Sequence, residues 1–137
     1  MKPKEVGTLN QEIIDLLELN VIPDTPILLG DSNYLHMKNS HPAAFEKYFS
    51  QLEEILKNPD YVNLNPKDKS IKYIKQINEY VVVGVRISIK GKIFARTIFT
   101  FEDWKFKQYK SSGYLKKCNK IARSEDRANP KNSRQGD

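Results

Sequence analysis

Only two histidines occur in the 137 residues, His36 and His41, and they lie five positions apart. Histidine exchanges protons near neutrality, so a pair of them suits general base and general acid work. On one unbroken helix, residues at this spacing point in different directions. Pro42 follows His41 directly and predicts a bend between two helices, which brings both rings to one edge of a sheet. His41 suits a helix cap equally, and His36 a plain surface or core position. Two histidines without a matching carboxylate cluster make a weak metal site, and no metal is expected.

Cations on strands form the second group. Arg96 interrupts the apolar run Ile93-Phe94-Ala95-Arg96-Thr97-Ile98-Phe99, and Arg86 sits between Val85 and Ile87. A guanidinium on a rigid strand fits bidentate contact with a phosphate, and Thr97 adds a hydroxyl donor beside it. Strand alternation puts Phe94, Arg96 and Ile98 on one face and Ile93, Ala95, Thr97 and Phe99 on the other. Pairing of the arginines with Glu46, Glu53 or Glu54 is the competing role. In Lys72-Tyr73-Ile74-Lys75, Lys75 shares a face with Tyr73, so charge and ring together suit a nucleotide. A lysine-protected edge strand explains the same residues. Lys107 and Lys110, with their lysine neighbours near the C-terminus, suit nonspecific phosphate contacts.

The sequence holds no glycine-rich phosphate loop, dinucleotide fingerprint, serine or cysteine nucleophile motif, or acidic cluster of the two-metal kind. Two histidines, strand-borne arginine, threonine and lysine, and a basic surface suit one reaction especially. That reaction is RNA cleavage by the RNA's own 2′-hydroxyl, with histidine moving protons and cations stabilising the transition state. No cofactor is expected, because the substrate brings the nucleophile.

The elements that must position these groups are legible in outline. Thr8 or Asn10 caps a helix over residues 11–19, ended by Pro23 and Pro26. Ile27-Leu28-Leu29 is a short buried strand stopped by Gly30, and Asp31 or Ser32 caps a short helix carrying His36. Proline at the first helical position starts a long amphipathic helix at Pro42, with Phe45, Phe49, Leu52 and Leu56 at helical spacing through Lys57. A strand begins at Tyr61-Val62. Residues 71–77, 81–89 and 92–101 then alternate, joined at Asn78-Glu79 and Lys90-Gly91, which predicts an antiparallel meander. A last short helix follows Glu102-Asp103. The fold class is α+β, with N-terminal helices packed on a curved antiparallel sheet. One domain over residues 1–120 is expected, its first 26 residues a helical extension, with a disordered basic tail over 121–137.

Composition sets the outer bounds. Apolar residues make up 39% and charged residues 29%, which allows one ordinary core. No apolar run spans a bilayer and no signal peptide is visible, so a cytoplasmic protein without a membrane partner is expected. The single Cys118 excludes a disulfide framework. Net charge is +6, divided unevenly: residues 1–66 carry 5 basic and 10 acidic side chains, residues 67–137 carry 18 and 7. The second half therefore suits a polyanion.

The order of these motifs resembles the phage-associated branch of the barnase–EndoU–colicin–RelE-like nuclease superfamily. The order is a helix with His36, His41-Pro42 and a long helix, Asn58-Pro59-Asp60-Tyr61, a strand with Lys75, Val81 to Arg86, and Ala95-Arg96-Thr97. It covers roughly residues 27–115, and Asn-Pro-Asp-Tyr and Ala-Arg-Thr are its most specific segments. The resemblance implies helices on a four-stranded sheet with a cleft on the sheet's exposed side. It also implies a metal-independent endoribonuclease, a toxin or mobile-element effector acting on tRNA-like RNA. Under it, His36, Lys75, Arg96 and Thr97 are catalytic, and His41, which suits capping as well, joins them; Tyr61 binds RNA beside Tyr73, Lys72, Arg86, Lys107 and Lys110, which the residue types above mark as RNA-binding. Tyr61 stacks on a base or moves a proton. An acidic immunity or antitoxin protein is the further partner implied. The competing functions are a non-catalytic nucleic-acid-binding module of the same fold and a basic interaction protein with an acidic partner.

Overall fold

The computed structural model describes residues 2–88, 90–113 and 115–118, so the expected tail over 121–137 lies outside the described residues. The meander is present: β4 (Ile71–Gln76), β5 (Tyr80–Ile87) and β6 (Ile93–Phe101) pair antiparallel in sequence order. The β5–β6 connection turns at Lys90 and Gly91, where Gly91 takes a φ of 83° that costs glycine little. β3 (Tyr61–Leu64) joins β4, and the two-residue β7 (Lys116–Lys117) joins β3, both antiparallel.

Across β6 the sheet continues with β2 (Thr25–Leu29), parallel to it, and then β1 (Lys4–Leu9), antiparallel to β2. The strand order is β1-β2-β6-β5-β4-β3-β7. β1 is a correction to the sequence reading, which placed only helix in the first 26 residues. The helix is there as well, α1 (Gln11–Leu17), capped by Asn10, whose side chain accepts from the Ile13 N–H at 3.0 Å. It is inserted between two strands of the one sheet.

The architecture is α+β. α1, α4 (Leu52–Lys57) and the buried Met37 of α2 (Asp31–Ser40) share one core with Leu9, Ile27, Val62, Ile71, Tyr73, Val83 and Ile98 of the sheet. The helix expected from Pro42 to Lys57 is α3 (Pro42–Tyr48), a tight turn at Phe49–Gln51, and α4. Its apolar stripe survives the break, with Ala44, Tyr48, Leu52, Ile55 and Leu56 all buried. On the sheet's other face, α5 (Asp103–Ser112) lies over Ile74, Val82 and Phe101. Phe106 of α5 stacks on Tyr80 at 3.9 Å, and Tyr109 on Phe101 at 5.1 Å. That helix covers one half of the face, and among the described residues the other half is open.

Candidate functional site

The open half is bounded by how β2 ends. Ile27 pairs with Ile93 and Leu28 with Phe94, so the chain leaves β2 level with Ala95 and enters α2 beside Arg96. Gly30 is the cap of α2, one residue earlier than expected, and the Asn33 side chain accepts from the Gly30 N–H at 2.9 Å. Ten helical residues rise about 15 Å in all, the reach of roughly four or five strand residues. The end of α2 therefore arrives level with Phe99, and the His41 ring lies 5.6 Å from that of Phe99. Tyr34 fixes α2 against α3 by meeting Phe45 and Phe49 edge-on at 5.2 and 5.3 Å. Such aromatic pairs contribute about 0.5–1.5 kcal/mol each beyond burial.

The bend at Ser40–Pro42 sends both histidines to the same place. His36 and His41 line one cleft of about 680 Å³ together with Lys72, Arg86, Arg96 and Thr97. His41 occupies the first position before α3, but its side chain makes no capping hydrogen bond there. Ser40 Oγ lies 3.3 Å from His36 Nδ1, one turn along the same helix. His36 and Arg96 are exposed, His41 and Thr97 half-buried.

Arg96 and Thr97 reach the cleft together because β6 carries a bulge. Gly84 pairs with Thr97 and Val85 with Ala95, so Arg96 is an extra residue with no opposite number. The buried phase of β6 slips accordingly, from Ile93 and Ala95 to Ile98. Simple alternation had put Arg96 and Thr97 on opposite faces; the bulge corrects that and turns both toward the cleft. Gly84 makes room for the arrangement, since a Cβ there would stand 2.7 Å from Thr97 Cγ2.

One acid lies among these cations. Asp68, in the β3–β4 connection, accepts from the Ser70 N–H at 2.9 Å and from its hydroxyl at 2.7 Å. Those hydrogen bonds, backbone first, and then the charges of Arg86 and Lys72, hold its carboxyl below the usual carboxylate range. Sequence reasoning missed Asp68, Ser70, Ser32, Asn33, Gly84 and Phe99 as lining residues. For Asp68 a signal existed: Asn65-Pro66-Lys67-Asp68 marks a turn, and it leads straight into the strand that carries Lys72.

Other expected site residues stand elsewhere. Tyr73 is fully buried in the core under the helices, so it has no face to offer a base. Its hydroxyl finds no partner among the described residues, and burial pushes its ionisation far up. Lys75 shares the Tyr73 face, as alternation predicts, and that is the helix-covered face. Its Nζ donates to the Asn58 carbonyl at 2.8 Å instead of entering the cleft. The Tyr61 ring meets Phe106 edge-on at 5.1 Å under α5. Lys107 and Lys110 are exposed on α5 and do not line the cleft. Arg86 and Arg96 form no salt bridge among the described residues; Glu53 pairs with Lys4 at 3.6 Å. No three His, Cys, Asp or Glu side chains converge among the described residues, and no helix there is long and apolar enough to cross a membrane.

Comparison with curated proteins and with solved structures found no match. A family model described as phage-Barnase-EndoU-ColicinE5/D-RelE like nuclease3 matches residues 4–108. The match begins at β1 and runs into α5, so it takes in the whole cleft and the N-terminal strand. The chain therefore belongs to this phage-associated, barnase–EndoU–colicin–RelE-like nuclease family.

Proposed function

We propose that the chain is a metal-independent endoribonuclease that cleaves tRNA-like RNA as a toxin or mobile-element effector. The supporting observation is the meeting of both histidines with Arg96 and Thr97 in one cleft, from segments some sixty residues apart. In the reaction the substrate 2′-oxygen attacks the adjacent phosphorus and the bond to the 5′-oxygen breaks, leaving a 2′,3′-cyclic phosphate. One histidine takes the 2′-hydroxyl proton and the other donates a proton to the departing 5′-oxygen. Arg96, Thr97 and Lys72 face the non-bridging oxygens, where charge accumulates in the transition state. Asp68 is held in its ionised form by Ser70, Arg86 and Lys72, which makes it a poor base and leaves proton removal to histidine.

The test is incubation of the purified protein with total tRNA in excess EDTA, with the product ends identified chemically. Wild-type protein should release 2′,3′-cyclic phosphate ends. His36→Ala and Arg96→Ala should each lower the rate by about 100- to 10,000-fold. Both side chains are exposed, so the variants should keep the wild-type melting temperature. Cleavage at the wild-type rate by both variants refutes the site, and intact tRNA with wild-type protein refutes the activity.

A further inference from the structure

The cleft does not end at its arginines. Beyond Arg86 and Arg96 a second groove of about 670 Å³ runs along the β5–β6 hairpin toward its turn, reaching Ser88, Lys90 and Phe94. It shares both arginines, Ser32 and Asn33 with the first cleft, so the two lie side by side. Among the described residues, the lining of the second groove holds three cations and no carboxylate, whereas Asp68 stands in the first. Phe94 pairs across the ladder with Arg86. It is half-buried, so part of its surface faces the groove. Phe99 and Phe101 of the same strand pack on other rings, but Phe94 has no ring partner among the described residues.

A cation pair beside an unstacked aromatic ring is what one nucleotide of a single strand requires: charge for its phosphate and a flat surface for its base. We propose that this groove is a subsite for the nucleotide next to the scissile phosphate of a single-stranded RNA segment. Arg86 and Lys90 hold that nucleotide's phosphate and Phe94 stacks on its base. The subsite rests on the ribonuclease reading for its register, since the scissile phosphate is placed in the first cleft. It extends that reading by requiring an unpaired nucleotide beside the cleavage point.

Binding of 2′-O-methyl oligonucleotides of two, three and four nucleotides tests the proposal, because the methyl group blocks 2′-oxygen attack and separates binding from cleavage. Fluorescence anisotropy should show affinity rising with length by roughly fivefold to a hundredfold at one added nucleotide, the range that base–aromatic stacking supports. Lys90→Ala and Phe94→Leu should each lose most of that step, and Lys90→Ala should also flatten the salt dependence by about 0.7 in log–log slope. Phe94→Leu keeps an apolar side chain at the position and removes only the ring, so its effect is not one of misfolding. Lys57→Ala, an equal charge change on α4, should bind every length as wild-type protein does. Absence of a length step in wild-type protein, or a step that survives both groove substitutions, overturns the subsite. Unmodified RNA of the same lengths reports on the other reading: no cyclic phosphate product there refutes the ribonuclease while the binding step stands.

Discussion

Replacing Gly84 by alanine adds one methyl group at the point where β5 passes closest to the bulge of β6. That methyl carbon would stand 2.7 Å from Thr97 Cγ2, about 1 Å inside ordinary carbon–carbon contact. Either the strands part or Thr97 turns about χ1, which is stiff in a β-branched side chain. Overpacking of this kind costs about 1–3 kcal/mol. Gly84 is not among the positive-φ glycines, so alanine suits its backbone and by itself contributes about 0.4–1 kcal/mol in favour of folding. The clash therefore has to be isolated by a cycle. In wild-type background, Gly84→Ala should lower the urea-unfolding free energy by about 1–2 kcal/mol. With Thr97→Ser, which removes Cγ2 and keeps the hydroxyl, the same substitution should be neutral or slightly stabilising. RNA cleavage should follow the hydroxyl, falling in Gly84→Ala and recovering in Gly84→Ala/Thr97→Ser. Equal destabilisation in both backgrounds would mean that Gly84 and Thr97 are uncoupled, and the account of the bulge would be wrong.

Tyr73→Phe removes a buried hydroxyl that has no partner among the described residues and should leave stability unchanged or raise it by about 1 kcal/mol. Its effect should grow at high pH. The unfolded tyrosine ionises near 10 while the buried one is pushed well above that, so wild-type stability should fall as pH rises past 10. The variant should lose part of that slope in alkaline denaturant titrations. Lys75→Ala breaks the bond to the Asn58 carbonyl and should lower the melting temperature by a few degrees, about 1 kcal/mol. The folded protein should keep its cleavage rate; a hundredfold loss would return Lys75 to the catalytic group. With Lys72, Arg86 and Arg96 lining the cleft, log affinity for a single strand should fall with log salt at a slope of at least about −2, and Arg86→Ala should reduce it by about 0.7.

Much of this site was legible because its signals are local. Pro42 after His41 announces a helix start, and a helix start so close to His36 implies a bend between the two rings. The Lys90-Gly91 turn, flanked by long alternating segments, announces the β5–β6 hairpin. Which residues share a face was also legible: Tyr73 and Lys75 do lie together. Which face the helices cover was not, because β4 is apolar on both sides, with Ile71 and Tyr73 buried on one and Ile74 on the other. Alternation reports relative orientation and leaves the absolute one to tertiary packing.

Both larger discrepancies have one physical cause. In β1 the buried residues are Val6 and Leu9, three apart, which is no strand period. The register steps between Glu5 and Gly7, so Val6 is an extra residue and the strand hides its alternation. In β6 the step at Arg96 does the same, and every neighbour there is apolar enough to fit either phase. A bulge adds one residue to a period of two, so it inverts every inference drawn across it. At β1 that inversion concealed a strand. At Arg96 it concealed the feature that puts guanidinium and hydroxyl on one side. An unbulged β6 would aim Arg96 into the core whenever Thr97 faced the cleft, leaving a charge without water. The extra residue removes that conflict, which makes the bulge a requirement of the site's chemistry rather than an irregularity of the sheet.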